Sequence, residues 1–135
     1  MPRYRTISHT SDVGLYAYGD TMEEAFANAA YGMFAVMTDL RKVREIDSRH
    51  FSLKAGDMES LLFEWLNHLL YILDVEHLLF KKFEVKIDKL SLTATCSGEK
   101  FDPERHKIVI GVKSATYYLL EVTKAKRRVR VIFDV

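Results

Sequence analysis

Between Val13 and Tyr18 the chain alternates Val, Leu and Ala with Gly, Tyr and Tyr, the period-two pattern of a strand with one buried face. Tyr4 to Ser8 reads as a shorter strand before it. The His9-Thr10-Ser11-Asp12 stretch between them carries the small polar side chains of a turn. The period then changes. Ala25, Phe26, Ala29, Met33, Val36 and Met37 recur at helical spacing behind Thr21 and Glu24, which stand in the relation of a capping box. Gly32 inside that helix costs about 1 kcal/mol relative to alanine, which points to close packing. Val43 to Leu53 reads as a strand with an irregular middle. Asp57 caps a second helix, in which Leu61, Leu62, Trp65, Leu66, Leu69, Leu70, Ile72 and Leu73 leave only a narrow polar stripe of Ser60, Glu64, Asn67 and His68. A helix so widely apolar is expected at the centre of the core.

The last third is rich in β-branched residues. Phe80–Ile87 and Leu90–Ser97 form an expected hairpin about Asp88-Lys89, and a polar loop from Gly98 to His106 follows. Ile108 to Thr123 fits a strand by its β-branched residues and a helix by Ala115, Leu119 and Val122; the strand is favoured. Arg127 to Phe133 closes the chain as a strand after a Lys124-Ala125-Lys126 turn. The expected fold is α+β: a two-layer, largely antiparallel sheet with two main helices, in one domain spanning residues 1–135.

Composition narrows the function classes. Glycine and proline together make only 8 of 135 residues, and 48% of the chain is hydrophobic, so disordered and low-complexity readings fall away. The longest run without Asp, Glu, Lys or Arg, Ala25 to Thr38, is 14 residues, short of the ~18 that a membrane span needs. A lone cysteine, Cys96, forms no internal disulfide and suggests a reducing compartment, and the start of the chain has no signal-peptide pattern. A cytoplasmic protein without membrane partners is expected. A net charge of +1 says little about other partners.

Catalytic signals are weak. The five histidines are scattered, no glycine-rich phosphate loop is present, and Cys96 sits on an apolar alternation that predicts a buried, inert thiol. Ser11 near His9 is a poor indication of a nucleophile and base, and a metal-dependent hydrolase would have only His9 to activate water near Asp12. No catalytic residue is assigned, and an enzyme is not expected. Two other features carry chemistry. Asp134 and Val135 place several oxygens at the end of the last strand, suited to a hard cation if a carboxylate such as Asp12 joins them. Spacing alone favours the plainer reading, with Asp12 as a turn former and Asp134 as a solvated terminal residue. Lys124, Lys126, Arg127, Arg128 and Arg130 put five bases in seven positions, either a nucleic-acid-binding hairpin or a solvated sheet edge. No aromatic interleaving is visible beside them.

Several of these stretches together resemble the archease family: His9-Thr10-Ser11-Asp12-Val13-Gly14 with Ala17-Tyr18-Gly19-Asp20-Thr21, the Leu61-Leu62, Trp65-Leu66-Asn67 and Leu69-Leu70-Tyr71 helix, Gly98-Glu99 with Phe101-Asp102 and Arg105-His106, and the closing Val131-Ile132-Phe133-Asp134-Val135. Val112-Lys113, Ala115-Thr116-Tyr117 and Leu120-Glu121-Val122 add to it. Ser11, His68 and Tyr118 depart from the family's pattern. The resemblance implies an accessory protein of tRNA splicing that activates an RtcB-type RNA ligase, joining 3′-phosphate and 5′-hydroxyl ends, by promoting its guanylylation and turnover. It implies a divalent metal site, calcium in the family, on Asp12, Asp134 and Val135. The alternative function is a tRNA-binding or tRNA-methyltransferase-modulating chaperone module acting through the basic hairpin.

Overall fold

The computed structural model describes residues 3–9 and 12–135. Thr10 and Ser11, and with them part of the expected turn, lie outside the described residues. Strand β1 (Tyr4–His9) pairs antiparallel with β2 (Asp12–Tyr18), as the early alternation predicts. Helix α1 (Met22–Met37) begins at Thr21, whose Oγ1 accepts from Glu24 N at 3.1 Å. The return bond differs from a capping box by one residue: Glu24 Oε1 accepts from Asp20 N at 3.3 Å. A 3₁₀ turn at Leu40–Lys42 leads to β3 (Asp47–Lys54), so the irregular part of the expected strand lies outside the ladder.

Helix α2 (Met58–Glu76) is capped by Asp57, which accepts from Ser60 N at 2.7 Å. The hairpin of β4 (Leu78–Asp88) and β5 (Ser91–Lys100) turns at Lys89, in the left-handed region with φ 56°. Strand β5 runs on through Gly98, Glu99 and Lys100, so the expected polar loop starts only at Phe101. The stretch 108–123 is neither a long strand nor a helix. It contains only β6 (Ser114–Ala115) and β7 (Glu121–Thr123), parted by Leu119 at φ 55°. Both short strands lie along one edge of β8 (Arg128–Asp134), and β2 lies along the other. The first sheet is therefore ordered β1-β2-β8-β6, with β7 also on β8; the second is β3-β5-β4. All the pairings described are antiparallel. The fold is α+β, as expected, with the strands divided between two sheets.

Both helices pack on both sheets. The core is built from Leu15, Ala17, Val129, Val131 and Phe133 of the first sheet, Leu92, Ala94 and Cys96 of the second, and the helices between. The indole Nε1 of Trp65 donates to Phe26 O at 2.9 Å, tying α2 to α1 inside the core, where an unmet donor would be costly. The more enclosed helix is α1, contrary to the expectation that α2 is central. In α2, Tyr71 and Val75 stay more than half exposed, whereas Ala25, Phe26, Ala29, Ala30, Met33 and Phe34 of α1 are fully buried. Hydrophobicity on most sides of α2 did not decide its place; the small alanines of α1 did, because they let two sheets approach it. Gly32 belongs to the same logic: a Cβ there would come within 2.9 Å of both Leu15 Cδ2 and Tyr4 Cγ. Among the described residues no helix is long and apolar enough to cross a membrane.

Candidate functional site

The ladder between β2 and β8 decides where the two ends of the chain meet. Val13 pairs with Phe133, so one step further Asp12 faces Asp134. On the other side of β8, Ser114 pairs with Asp134, and Lys113 N donates to Asp134 O at 2.8 Å. Leu15, Val129, Val131 and Phe133 point into the core, so alternation sends Asp12, Gly14, Tyr16 and Tyr18 of β2, and Arg128, Arg130, Ile132 and Asp134 of β8, to the outer face. At the Asp12 end that face forms a cavity of about 260 Å³, lined by both carboxylates, Ser114, Thr116 and Tyr118 together with Ile132 and Phe133.

This lining is rich in oxygen and has no lysine or arginine in it. Among the described residues neither aspartate forms an ion pair. Two carboxylates facing each other across a ladder repel unless a cation lies between them. Hard oxygens of this kind fit a cation such as calcium, which takes 6–8 oxygen ligands. Among the described residues no three His, Cys, Asp or Glu side chains cluster to hold a metal, so two carboxylates would need hydroxyl, backbone or Val135 oxygens beside them. Val135 follows Asp134 and is partly exposed. His9 pairs with Asp12 at the backbone level, but its side chain lies outside the described residues, as does Ser11.

Two side chains that the sequence reading did not single out for a site shape this one. Asn67 of α2 accepts from Ala115 N at 2.9 Å and donates to Ala115 O at 3.2 Å, holding β6 in place beside Asp134. Thr116 Oγ1 donates to Ile132 O at 2.8 Å. Gly14 allows the strands to close: a Cβ there would meet Ile132 Cδ1 at 2.5 Å and Val131 O at 2.8 Å.

The basic segment is divided by the fold. Lys124 and Lys126 are exposed in the β7–β8 turn, and Arg127 donates to Asp20 O at 3.3 Å. Arg128 and Arg130 lie on the outer face and share one acid, Glu121, at 3.3 and 3.5 Å. A hydrogen bond from Thr123 and the two guanidiniums hold the Glu121 carboxyl below its usual range. Aromatic interleaving, absent from the linear sequence, is present in space: Tyr16 pairs with Arg130 and Tyr18 with Arg128.

The remaining candidates are structural. Cys96 is fully buried, and burial pushes its thiol up to about 12. His106, also buried, has Nδ1 accepting from Asp102 N at 2.9 Å, which leaves Nε2 as the donor toward Glu99 and Lys42 O. Glu99 also accepts from Arg105 and from Arg44 N, bonds that hold its carboxyl at about 2. Of the family departures, His68 packs against Phe51 with centroids 4.4 Å apart and planes tilted by 59°, and burial lowers its pKa.

Residues 4–135 match the model of the Archease protein family (MTH1598/TM1083). A protein archease of Pyrococcus abyssi is 41% identical over 128 residues, covering 92% of this chain and 90% of that one. Its counterpart in Methanothermobacter thermautotrophicus is 42% identical over 140 residues, covering 99% of each chain. The solution structure of protein 1598 of Methanobacterium thermoautotrophicum superposes with a TM-score of 0.87 at 39% identity, over the whole of both chains.

Proposed function

The chain belongs to the archease family, and from that premise we propose that it is an accessory protein of tRNA splicing that activates an RtcB-type RNA ligase. That ligase joins a 2′,3′-cyclic phosphate or 3′-phosphate end to a 5′-hydroxyl end with GTP and manganese. The chain promotes guanylylation of the ligase's active-site histidine and so sustains its turnover. It has no catalytic residue of its own in this reading.

The observation that carries the reading is the facing pair Asp12 and Asp134 above an oxygen-lined cavity. In the proposed site these carboxylates, with an oxygen of Val135, hold a divalent cation, most simply calcium. The cation supplies positive charge to phosphate oxygens or to carboxylates. The chain's own residues do the rest: β2 and β8 fix the two aspartates at the register given by Val13 and Phe133, and Asn67 keeps Ser114 alongside. Docking of this rigid pole shifts the ligase toward its nucleotide-accepting state. Preferring that state by about 1.4 kcal/mol raises its ratio tenfold.

The test is a guanylylation assay with purified ligase, GTP and manganese, with and without this chain. Asp12→Ala and Asp134→Ala are expected to keep the wild-type thermal transition and to abolish stimulation. Full stimulation by both variants would remove the metal pole from the mechanism, and no stimulation by the wild-type chain would remove the ligase.

A further inference from the structure

The outer face of the first sheet carries a second constellation, on the other side of the buried Gly14–Ile132 rung from the acidic cavity. Across one rung lie Arg5, Tyr16, Arg130 and Glu121; across the next lie Tyr18, Arg128 and Thr123. The guanidinium carbons of Arg5, Arg128 and Arg130 stand 5.2, 4.9 and 6.0 Å from the centroid of the Tyr16 ring. Tyr16 and Tyr18 stack on each other, with centroids 6.4 Å apart and planes 26° from parallel.

Charge on this patch is unbalanced. Glu121 pairs with both Arg128 and Arg130. Arg130 is further occupied by Leu119 O and Tyr16 OH. Exposed Arg5 forms no ion pair among the described residues, and Arg128 Nε, shielded from solvent, has no hydrogen-bond partner. Three guanidiniums face one carboxylate, and Lys126 stands exposed at the end of the same hairpin. An anion is therefore the complementary ligand. The two rings narrow its class. An acidic peptide offers carboxylates but nothing to lie against a stacked tyrosine pair. A nucleotide strand offers a phosphate at each step and a flat base between them, and stacking on aromatic side chains tolerates any base.

We propose that this face binds single-stranded RNA, with Arg5 and Arg128 on successive phosphates and a base laid against Tyr18. Arg130 is a positioning residue that holds Tyr16 and Glu121 in place. The strip is separate from the ligase-activating pole. Tyr16 lies four residue steps from Asp12 along β2, about 13 Å at strand rise, or roughly two nucleotides of extended backbone. A strand bound here would thus lead toward the acidic cavity.

Fluorescence anisotropy with a fluorescein-labelled, mixed-sequence single-stranded RNA of roughly 12 nucleotides tests this, across a salt series, with circular dichroism melts confirming that each variant folds. The wild-type chain is expected to bind, weakening as salt rises. In Arg5→Gln/Arg128→Gln the slope of log K against log salt should shrink by about 1.4, the counterion release of two single-strand phosphates. Tyr18→Leu should weaken binding about tenfold, and Tyr18→Phe should restore it. Absence of binding at low salt, equal competition by duplex RNA or polyglutamate, or unchanged affinity in these variants would overturn the proposal. Asp134→Asn does not weaken RNA binding under it, so failure of the strip and failure of the ligase reading register in different assays.

Discussion

Glu99 is the residue whose removal should most disturb the fold without touching the core packing. It sits at the end of β5, only 6% exposed. Its carboxylate accepts from Arg44 N at 2.7 Å, Arg105 Nη1 at 2.8 Å and Nη2 at 2.9 Å, and His106 Nε2 at 3.1 Å. These bonds fasten the start of the long 101–113 connection to the segment after α1. Farther along, the same connection is held by Thr38 Oγ1 donating to Lys107 O and Val109 N donating to Met37 O, and it ends at Lys113 against Asp134. The Arg105 hydrogen bonds are the largest influence lowering the carboxyl from an ordinary 4.5 to about 2. Because the folded value lies below the unfolded one, the stabilisation is fully present above about pH 4.5 and is lost as pH falls toward 2. Its size follows from linkage, discounted for the water that reaches Arg44 and Arg105: about 2–3 kcal/mol. Stranding a buried partner such as His106 costs a similar amount, about 3 kcal/mol. Glu99→Ala should therefore lower the urea unfolding free energy at pH 7 by about 3 kcal/mol. Glu99→Gln should lower it by less and flatten the acid limb between pH 4.5 and 2. A loss under about 1 kcal/mol in Glu99→Ala, or an unchanged acid limb in Glu99→Gln, would refute the reasoning.

Asn67→Ala removes both hydrogen bonds to Ala115; the chain should lose about 1–3 kcal/mol in urea unfolding, and terbium luminescence titration should read weaker ion binding at the Asp12 cavity, whereas wild-type binding in the variant would separate β6 from that site. The Cys96 thiol should resist a disulfide reagent in the native chain at pH 8 and react at once in urea, since burial holds it protonated up to about 12; fast native labelling would show that the second sheet opens.

Much of this protein is local and so is visible along the chain. Thr21 and Asp57 cap their helices because a side-chain oxygen needs only the amide three residues on. The β4–β5 hairpin turns where a short polar pair interrupts two alternating runs. Asp12, Asp134 and Val135 stand out as candidate ligands by residue type and family likeness alone. What the sequence could not supply was who pairs with whom. In 108–123 the propensity favours strand, yet Asn67 takes up the backbone groups of Ala115 and Leu119 turns left-handed, so only two short strands form. The central place of α1 depends on two sheets closing over its alanines, a matter of tertiary fit that the wider apolar surface of α2 concealed. Register decides the rest. One ladder, Val13 on Phe133, brings Asp12 against Asp134 and sets Tyr16 beside Arg130 and Tyr18 beside Arg128. Side-chain period is local and legible; strand register is set by which distant segment closes on the core, and only the folded molecule holds that information.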